Sequence, residues 1–486
     1  MSGLSSHQTG SSSLMNEDLA PVTQRTWGGK DYLFLWMSNI HSVAGYVTVS
    51  SLFVMGLPLH DVFLAMLLSI LVVQIGCNLV AGPSFTTGAP FPVVARMTFG
   101  VYGAIIAALI RGLIAIGWYG IQTWLASNAL VILAVKLWPA LEPWAIAQQH
   151  GFAGLSLVGW GAFMTVWTLQ ILVFWNGMDA IRHFIDWAGP IIYGMMALLD
   201  GWLLIKTGGH ISFHMFHVAT HLTLTQHVSG IVNAMALVLA YFSPIILNFG
   251  DFSRYGLTMR AIRSGNFWGL PFNFLAFAFL TLLTVALTLP VFGRLIFDPV
   301  ETVVKTTNLA TALLGVLTVV TATIGINISA NFVSAAFDFS NIAPNRLSWR
   351  QGGLIAAIGA ILVTPWNLYA RPDLVHLTLD VLGSCVTPMI AILLADYYII
   401  KKQRIHTASL YSTDSNDAYW YYAGINPIAV SALIVGTLFG LSFIFFSALA
   451  DYRNLSCVAG FIAALAFYLL LAQMFPRLCT QKKAVA

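Results

Sequence analysis

Two short polar clusters interrupt long apolar stretches and carry the side chains best suited to bind a small molecule. The first covers residues 117–124, where Trp118 and Gln122 are four residues apart. In a helix this spacing puts an indole face and a carboxamide on one side. The second cluster holds Asn327 and Asn331, again one turn apart. An amide inside a membrane either joins two helices by a hydrogen bond or meets a ligand.

These side chains suit a planar, neutral ring. A carboxamide both donates and accepts hydrogen bonds, which matches the alternating N–H and C=O edge of uracil, cytosine, hydantoin or allantoin. Neither cluster contains a Lys, Arg, Asp or Glu residue. An amino-acid substrate would need such a charge partner, so the clusters predict a heterocyclic substrate.

Helix breakers occur in two further apolar stretches. Residues 36–46 contain several polar residues and Gly45, and residues 241–251 contain Pro244, which removes a backbone hydrogen bond. Irregular backbone inside a bilayer persists only where it is buried in protein or lines a cavity. Glycine and proline are also simply more frequent in membrane helices. The two breaks, like the two polar clusters, lie five spans apart, which predicts an inverted repeat with the site where the broken helices meet.

The elements that must position these residues are membrane-spanning helices. Of 486 residues, 58% are apolar and 8% are charged, whereas a typical soluble domain has roughly 25% charged residues. Apolar runs of about 20 residues, long enough to cross a bilayer, recur along the chain. The sequence predicts an all-α polytopic membrane protein with twelve transmembrane helices, a five-plus-five inverted repeat and broken helices 1 and 6. The predicted spans are 32–56, 61–81, 102–137, 156–177, 186–206, 228–249, 268–296, 308–337, 353–364, 374–400, 426–449 and 455–475.

Charge predicts the orientation. Of the 22 Lys and Arg residues, 15 fall in segments on the N-terminal side of the membrane and 6 on the other side. The positive-inside rule then places both termini in the cytoplasm, and the net charge of +4 reflects topology and not nucleic-acid binding. We expect no signal peptide. The predicted parts are a tail at 1–30, a transporter core at 31–400 with repeats at about 31–206 and 228–400, a loop at 401–425, helices 11 and 12 at 426–475, and a tail at 476–486.

Other classes of site are weakly supported. His210, His214, His217 and His221 would form one stripe if helical, which suits either a transition metal or an interfacial segment that binds nothing. We favour the second reading and predict no metal site. The chain has no zinc-protease, nucleophile-elbow or Walker motif, so we predict no enzyme. A passive channel is the alternative, although bulky residues crowd the predicted midplane.

Several motifs in order resemble the nucleobase-cation symport family 1, which includes cytosine, uracil, allantoin and hydantoin permeases. The resemblance extends from about residue 18 to residue 475. It is carried by Asp-Leu-Ala-Pro at 18–21, Arg-Thr-Trp at 25–27, Gly-Ala-Pro-Phe-Pro at 88–92, Arg-Met-Thr-Phe-Gly at 96–100, Trp-Tyr-Gly-Ile-Gln-Thr at 118–123, Asp-Phe-Ser-Arg at 251–254, Asn-Ile-Ser-Ala-Asn at 327–331, Pro-Trp at 365–366 and Ala-Asp-Tyr-Tyr at 395–398.

The resemblance implies a symporter that alternates between outward-open and inward-open states. Helices 1, 2, 6 and 7 would move as one bundle against a scaffold of helices 3, 4, 8 and 9. The ring would lie between Trp118 and Phe242, with its edge hydrogen-bonded by Gln122 and Asn331. Ser42 and the backbone near Tyr241 would lie close by. It also implies a protein of the cell inner membrane, which we expect to be a monomer, with no cofactor and with H⁺ or Na⁺ as the coupling ion.

Two departures from the family pattern affect the prediction of the substrate and of the coupling ion. Hydantoin permease has tryptophan in place of Phe242 and glutamine in place of Ser42, so the substrate class stays open. In sodium-coupled members, two hydroxyl ligands stand at the positions of Gly325 and Ile326, beside backbone carbonyls that match Ser38, His41 and Ala322. Losing hard oxygen ligands weakens a sodium site, although Thr323 is a neighbouring hydroxyl.

We therefore favour proton coupling. His41, Asp251 and Asp338 are the candidate carriers, because ionisable residues inside membranes are usually functional. Alternatives remain for two of them: Asp251 as a helix-end partner of Arg254, and His41 as a packing residue. Arg111, two turns before Trp118 on the same helix face, is expected to pair with an acid.

Overall fold

The computed structural model describes residues 13–211, 213, 222–298, 301–302, 305, 309–369 and 372–476. In this part of the chain, ten helices are long and apolar enough to cross a membrane, and two interrupted segments complete twelve spans. In chain order the spans are 1, Gly29–Ile40 with Val43–Leu52; 2, Leu59–Thr87; 3, Ala104–Leu137; 4, Leu157–Trp175; 5, Met178–Lys206; 6, Leu224–Ser253; 7, Met259–Phe292; 8, Leu309–Ser340; 9, Trp349–Leu362 with Pro365–Tyr369; 10, Pro372–Leu394 with Ala395–Ile400; 11, Pro427–Phe445; and 12, Ser456–Met474.

The all-α membrane fold and its twelve spans agree with the prediction. Spans 2 and 6 pack along each other, and span 5 packs against spans 1, 4, 7 and 8. The segment after span 3 holds short 3₁₀ turns, Pro139–Leu141 and Pro143–Ala145, a helical turn, Ala147–His150, and a two-residue antiparallel pair, Gly151–Phe152 with Leu155–Ser156. Further 3₁₀ segments, Ala408–Tyr411 and Ser447–Leu455, lie before spans 11 and 12.

Span 1 is broken, as predicted. The break falls at His41 and Ser42, which both have extended backbone, and not at Gly45, which lies inside the second half of the span. The Ser42 hydroxyl accepts a hydrogen bond from the Gly45 N–H at 2.8 Å and so caps the second helix. A side chain at Gly45 would approach the Ile40 carbonyl to 2.7 Å, which explains the glycine.

Span 6 is not broken, contrary to the prediction. Leu224–Ser253 is one continuous helix with Pro244 inside it. Proline has no N–H to give to the Ala240 carbonyl, but the Ser243 hydroxyl donates to that carbonyl at 2.9 Å. A neighbouring hydroxyl thus replaces the missing donor, one of the ways in which membrane helices tolerate proline.

Three spans contain a wider π-helical turn. These turns are Trp268–Phe272 in span 7, Asn327–Val333 in span 8 and Ala395–Ile400 in span 10. A π-turn inserts an extra residue into a helix and is frequent at functional sites. The turn in span 8 coincides with the second polar cluster of the sequence.

A short helix, Phe91–Phe99, lies between spans 2 and 3 and was not predicted. All nine of its residues are buried, so it belongs to the core. The sequence carried a signal for it, since proline at the first helical turn and a closing glycine mark helix ends. Pro92 and Gly100 occupy those positions, and Gly100 has a φ of 92°.

From residue 13 onward, the predicted N-terminal tail at 1–30 packs against the bundle. Leu14, Leu19 and Trp27 are buried. The Thr26 and Trp27 N–H groups donate to the Tyr255 carbonyl after span 6, both at 3.0 Å. We call the end of the bundle that this segment covers the N-terminal face, and the other end the opposite face.

We expect Ser243→Ala to destabilise the fold, because the Ala240 carbonyl would lose its only substitute donor in the membrane. The loss should lower the midpoint of thermal unfolding in detergent by on the order of 1–3 °C. Thr165→Val is the matched control, since its hydroxyl donates to a carbonyl, that of Gly161, in a helix without proline. Equal midpoints for the two variants would contradict this account of Pro244.

Candidate substrate site

Spans 3, 6 and 8 enclose a small cavity that is lined by members of both predicted polar clusters. Its volume is about 20 Å³, so its walls must separate before a ring can enter. The cavity is closed by aromatic and amide side chains that the sequence singled out and by aliphatic neighbours. The lining residues are Trp118, Gln122, Tyr241, Pro244, Ile245, Ile326, Ala330 and Asn331.

Span 3 contributes the indole and an amide, as its spacing predicted. Trp118 is 7% exposed and Gln122 is 3% exposed. The Gln122 Oε1 atom is buried and has no hydrogen-bond partner. Leaving a buried carbonyl oxygen unpaired costs about 1–3 kcal/mol, so this atom is a strong candidate to accept a hydrogen bond from a ligand.

The aromatic partner across the cavity from Trp118 is Tyr241 and not Phe242. The Trp118 and Tyr241 rings meet edge to face with centroids 6.4 Å apart. Phe242 is fully buried and packs edge-on against Phe274 of span 7, and it lines a separate small cavity. Because span 6 stays helical through Pro244, consecutive residues point about 100° apart, and only one of the two can face span 3.

Ser42 reaches the cavity indirectly. Its hydroxyl lies 3.1 Å from the Tyr241 hydroxyl and so connects the break in span 1 to the ring that closes the cavity. Sequence reasoning considered only the backbone near Tyr241. The side chain could have been identified only by knowing that span 6 remains helical at this point.

The two asparagines of span 8 have different surroundings. The Asn327 amide donates to the Tyr119 carbonyl, the Thr123 hydroxyl and the Gln170 carboxamide at 3.0–3.1 Å, which joins span 8 to spans 3 and 4. Asn331 lines the cavity and donates to the Asn327 carboxamide oxygen at 2.8 Å. Asn327 therefore links helices, while Asn331 is available to a ligand.

The positions at which the resemblance would place a sodium ion lie where spans 1 and 8 meet. A side chain at Gly325 would come within 2.1 Å of the Ser38 hydroxyl, so the Ser38 side chain fills the space beside that glycine. The hydroxyls of Ser38 and Thr323 are buried and have no hydrogen-bond partner. Ile326 faces the small cavity instead.

His41 sits at the break of span 1 and faces away from the small cavity. Its Nδ1 lies 2.5 Å from the Met37 carbonyl, and its ring meets Tyr193 and Phe277 edge-on at 4.2 and 4.7 Å. Together with Ala322 it lines a second, larger cavity of about 320 Å³ between spans 1, 5, 7 and 8. His41 Nε2 is buried without a partner.

A buried cluster lies below the small cavity, toward the N-terminal face. The Arg111 guanidinium forms an ion pair with Asp338 at 3.3 Å and donates to the Asn248 carboxamide and, at 2.8 Å, to the Ala330 carbonyl. The Asn248 amide also donates to the Ala330 carbonyl at 2.8 Å. The expected acid partner of Arg111 is thus Asp338, and spans 3, 6 and 8 are joined at one backbone oxygen.

Asp251 does not pair with Arg254. Its carboxylate accepts the Phe91 N–H at 2.8 Å and caps the short helix, where a negative charge is favourable. Arg254 instead donates to the carbonyls of Asp18 and Ala20 in the N-terminal segment. Asp251 is therefore a structural cap in this arrangement, and its predicted role in ion coupling remains a prediction.

The histidine stripe lies mostly outside the described residues. His210 is exposed, and His214, His217 and His221 fall in the part of the chain that is not described. Within the described residues, no group of three or more His, Cys, Asp or Glu side chains is placed to hold a metal ion.

A twelve-span bundle with a broken first span and a small closed cavity between its spans resembles the architecture of a solute transporter. Residues 20–474 match the family model described as permease for cytosine/purines, uracil, thiamine, allantoin. The chain belongs to this permease family, and it is therefore a membrane transporter and not an enzyme.

Individual relatives agree with this assignment. The chain is 33% identical to the allantoin permease of Bacillus subtilis, over 97% of this chain and 96% of that protein. It is 28% identical to a putative allantoin permease of Escherichia coli, with 94% of each covered. The fold is similar to that of Mhp1, a nucleobase-cation-symport-1 family transporter in a closed conformation with bromovinylhydantoin bound, with a TM-score of 0.75, 20% identity and coverage of 96% of this chain and 97% of that chain.

We expect Asn327→Ala and Asn331→Ala to separate stability from binding. Asn327→Ala should lower the midpoint of thermal unfolding more, because it removes one donor from each of three buried acceptors, at about 1–3 kcal/mol in total. Asn331→Ala should leave the midpoint closer to that of the parent protein. Melting curves of both purified variants measure the difference, and a larger loss for Asn331→Ala would reverse the two assignments.

Proposed function

We propose that this permease imports a neutral, planar ring compound of the allantoin or hydantoin type together with a proton. The observation that carries the proposal is the unpartnered Gln122 Oε1, which lies in the small cavity beside Trp118 and Asn331. A ring N–H would satisfy this oxygen, and the Asn331 carboxamide would bind a neighbouring group on the same ring edge. The ring face would contact the Trp118 indole.

The relatives support a ureide or hydantoin ahead of the larger purines. Three of them are named allantoin permease or putative allantoin permease, against one named purine-uracil permease, and the solved structure of similar fold holds a hydantoin derivative. The cavity in this chain is narrowed by Tyr241 and closed by aliphatic side chains. A small ring with N–H and C=O groups on one edge suits such walls.

The same proposal includes location and orientation. We place the N-terminal face in the cytoplasm, because 15 of the 22 Lys and Arg residues lie on that side by the sequence assignment. The protein would then lie in the cell inner membrane with both termini inside. We further propose that the monomer is the transporting unit, since the small cavity is formed within a single chain.

Two observations bear on the coupling ion. Gly325 and Ile326 supply no hydroxyl where a sodium site of this family would have two, which favours the proton. Sodium is the second candidate, because the Ser38 and Thr323 hydroxyls are buried and unpartnered near the same place. Two hydroxyls and a few carbonyls form a weaker cation site than a complete oxygen shell, so we propose the proton.

We expect Gln122→Leu to reduce uptake of labelled allantoin by at least about tenfold, because a ring N–H would lose its acceptor in a dry site. Membrane expression and the thermal midpoint should stay near those of the parent protein. Gln149→Leu, at an exposed position, is the control. A competition panel of allantoin, hydantoin, uracil, cytosine and hypoxanthine against the parent protein ranks the substrates. Normal uptake by Gln122→Leu would remove this residue from the binding site.

Ion coupling is measured in proteoliposomes with the purified protein. We expect an inward proton gradient to drive allantoin accumulation at constant sodium. An inward sodium gradient at equal internal and external pH should give no accumulation. The opposite pattern would establish sodium coupling and would direct attention to the hydroxyls of Ser38 and Thr323.

A further inference from the structure

Seven aspartates are buried in the described residues, and no buried glutamate occurs among them. Five contact a basic side chain within ion-pair distance. These five pairs are Asp31 with Arg182, Asp61 with His227, Asp338 with Arg111, Asp380 with Arg453 and Asp396 with Lys401. A sixth, Asp251, caps the short helix Phe91–Phe99 through the Phe91 N–H. Each of these six carboxylates contacts a basic side chain or a helix end through at least one oxygen, while the second oxygens of Asp251 and Asp338 are buried without a partner.

Asp200 is the seventh buried aspartate. It lies in span 5, six residues before the end of the helix at Lys206, and is 4% exposed. Its Oδ1 accepts a hydrogen bond from the Thr284 hydroxyl of span 7 at 2.5 Å. Its Oδ2 is buried and has no partner. No basic side chain of the described residues lies within ion-pair distance of it, since the Lys206 ammonium lies over the Trp202 ring.

A buried carboxylate without a positively charged partner has a high free energy as an anion, because it has lost its hydration. Protonation removes the charge and with it this free-energy cost. Among the described side chains, the spans packed against span 5 bring two other titratable groups toward this region, His41 and Tyr46 of span 1. Asp298, in the segment after span 7, acts electrostatically on Tyr46. None of these supplies a permanent positive charge.

The larger cavity adjoins this site through Thr284, although Asp200 itself does not line it. Thr284, the donor to Asp200, lines it, and so do Tyr46 and His41 deeper in the membrane. At its other end the cavity reaches Ala310, an exposed residue near the start of the described part of span 8. Its volume of about 320 Å³ is large enough to admit water from the opposite face.

We propose that Asp200 is a proton-binding site that couples transport to the proton gradient, an inference that rests on the proposed proton symport. The carboxylate takes up one proton from water at the opposite face, and the neutral acid releases it toward the N-terminal face after the protein changes state. The Thr284 hydroxyl positions the carboxylate and connects span 5 to span 7. Because the resemblance assigns span 7 to the moving bundle, the charge on Asp200 acts directly at a contact that transport must rearrange.

Asp200→Asn is the test, since it keeps the shape of the side chain and fixes it in an uncharged form. In proteoliposomes we expect Asp200→Asn to lose accumulation driven by a proton gradient by at least about tenfold. Exchange of internal unlabelled for external labelled allantoin, which needs no net proton movement, should stay within about threefold of the parent rate. Asp380→Asn, equally buried but on span 10 and paired with Arg453, is the control and should keep gradient-driven accumulation.

Thr284→Val provides an independent variant that leaves the carboxylate in place. We expect it to shift the pH profile of uptake while preserving exchange, because it removes the hydrogen bond that holds Asp200. Three results would overturn the inference. The first is accumulation by Asp200→Asn with the parent pH dependence, and the second is loss of both accumulation and exchange in a folded Asp200→Asn protein. The third is an unchanged pH profile in Thr284→Val. If the parent protein itself does not respond to a proton gradient, the proposed proton symport fails and this inference fails with it.

Discussion

The central constraint on this structure is that a backbone group inside the membrane must find a partner when a helix departs from regular geometry. The protein meets this constraint with side chains at three irregular points. The Ser42 hydroxyl accepts the Gly45 N–H at the break of span 1, and the Ser243 hydroxyl donates to the Ala240 carbonyl beside Pro244. In the π-turn of span 8, Arg111 and Asn248 both donate to the Ala330 carbonyl.

These hydrogen bonds at irregular points also connect different spans of the bundle. Ala330 and Asn331 are adjacent in the π-turn and line the small cavity, while the Ala330 carbonyl joins spans 3 and 6 through Arg111 and Asn248. A ring bound at Asn331, as proposed, would act on the same turn that joins span 6 to span 3. On the other side of the site, the Ser42 hydroxyl contacts the Tyr241 hydroxyl. A movement of the Tyr241 side chain, which closes the cavity, would therefore be transmitted to the break of span 1.

Much of this could be predicted from the sequence, because apolar runs and helical spacing are local properties. The twelve spans, the break in span 1 and the common face of Trp118 and Gln122 all follow from short stretches of chain. The continuity of span 6 could not be predicted, because proline alone does not reveal that the Ser243 hydroxyl donates to the Ala240 carbonyl. In the continuous helix it is Tyr241 and not Phe242 that faces Trp118. The different surroundings of Asn327 and Asn331 depend on Gln170, which comes from a different span. Long-range partners of this kind leave no trace in local spacing.

The account makes one central claim, that the ring binds in the small cavity between spans 3, 6 and 8 and not in the larger cavity beside His41. The most direct measurement is an experimental structure of the purified protein with allantoin bound. The account predicts density for the ring against the Trp118 indole, with a ring N–H directed at Gln122 Oε1 and the Asn331 carboxamide on the same edge. Density for the ring among His41, Tyr46 and Thr284, with the cavity beside Trp118 still closed, would contradict it.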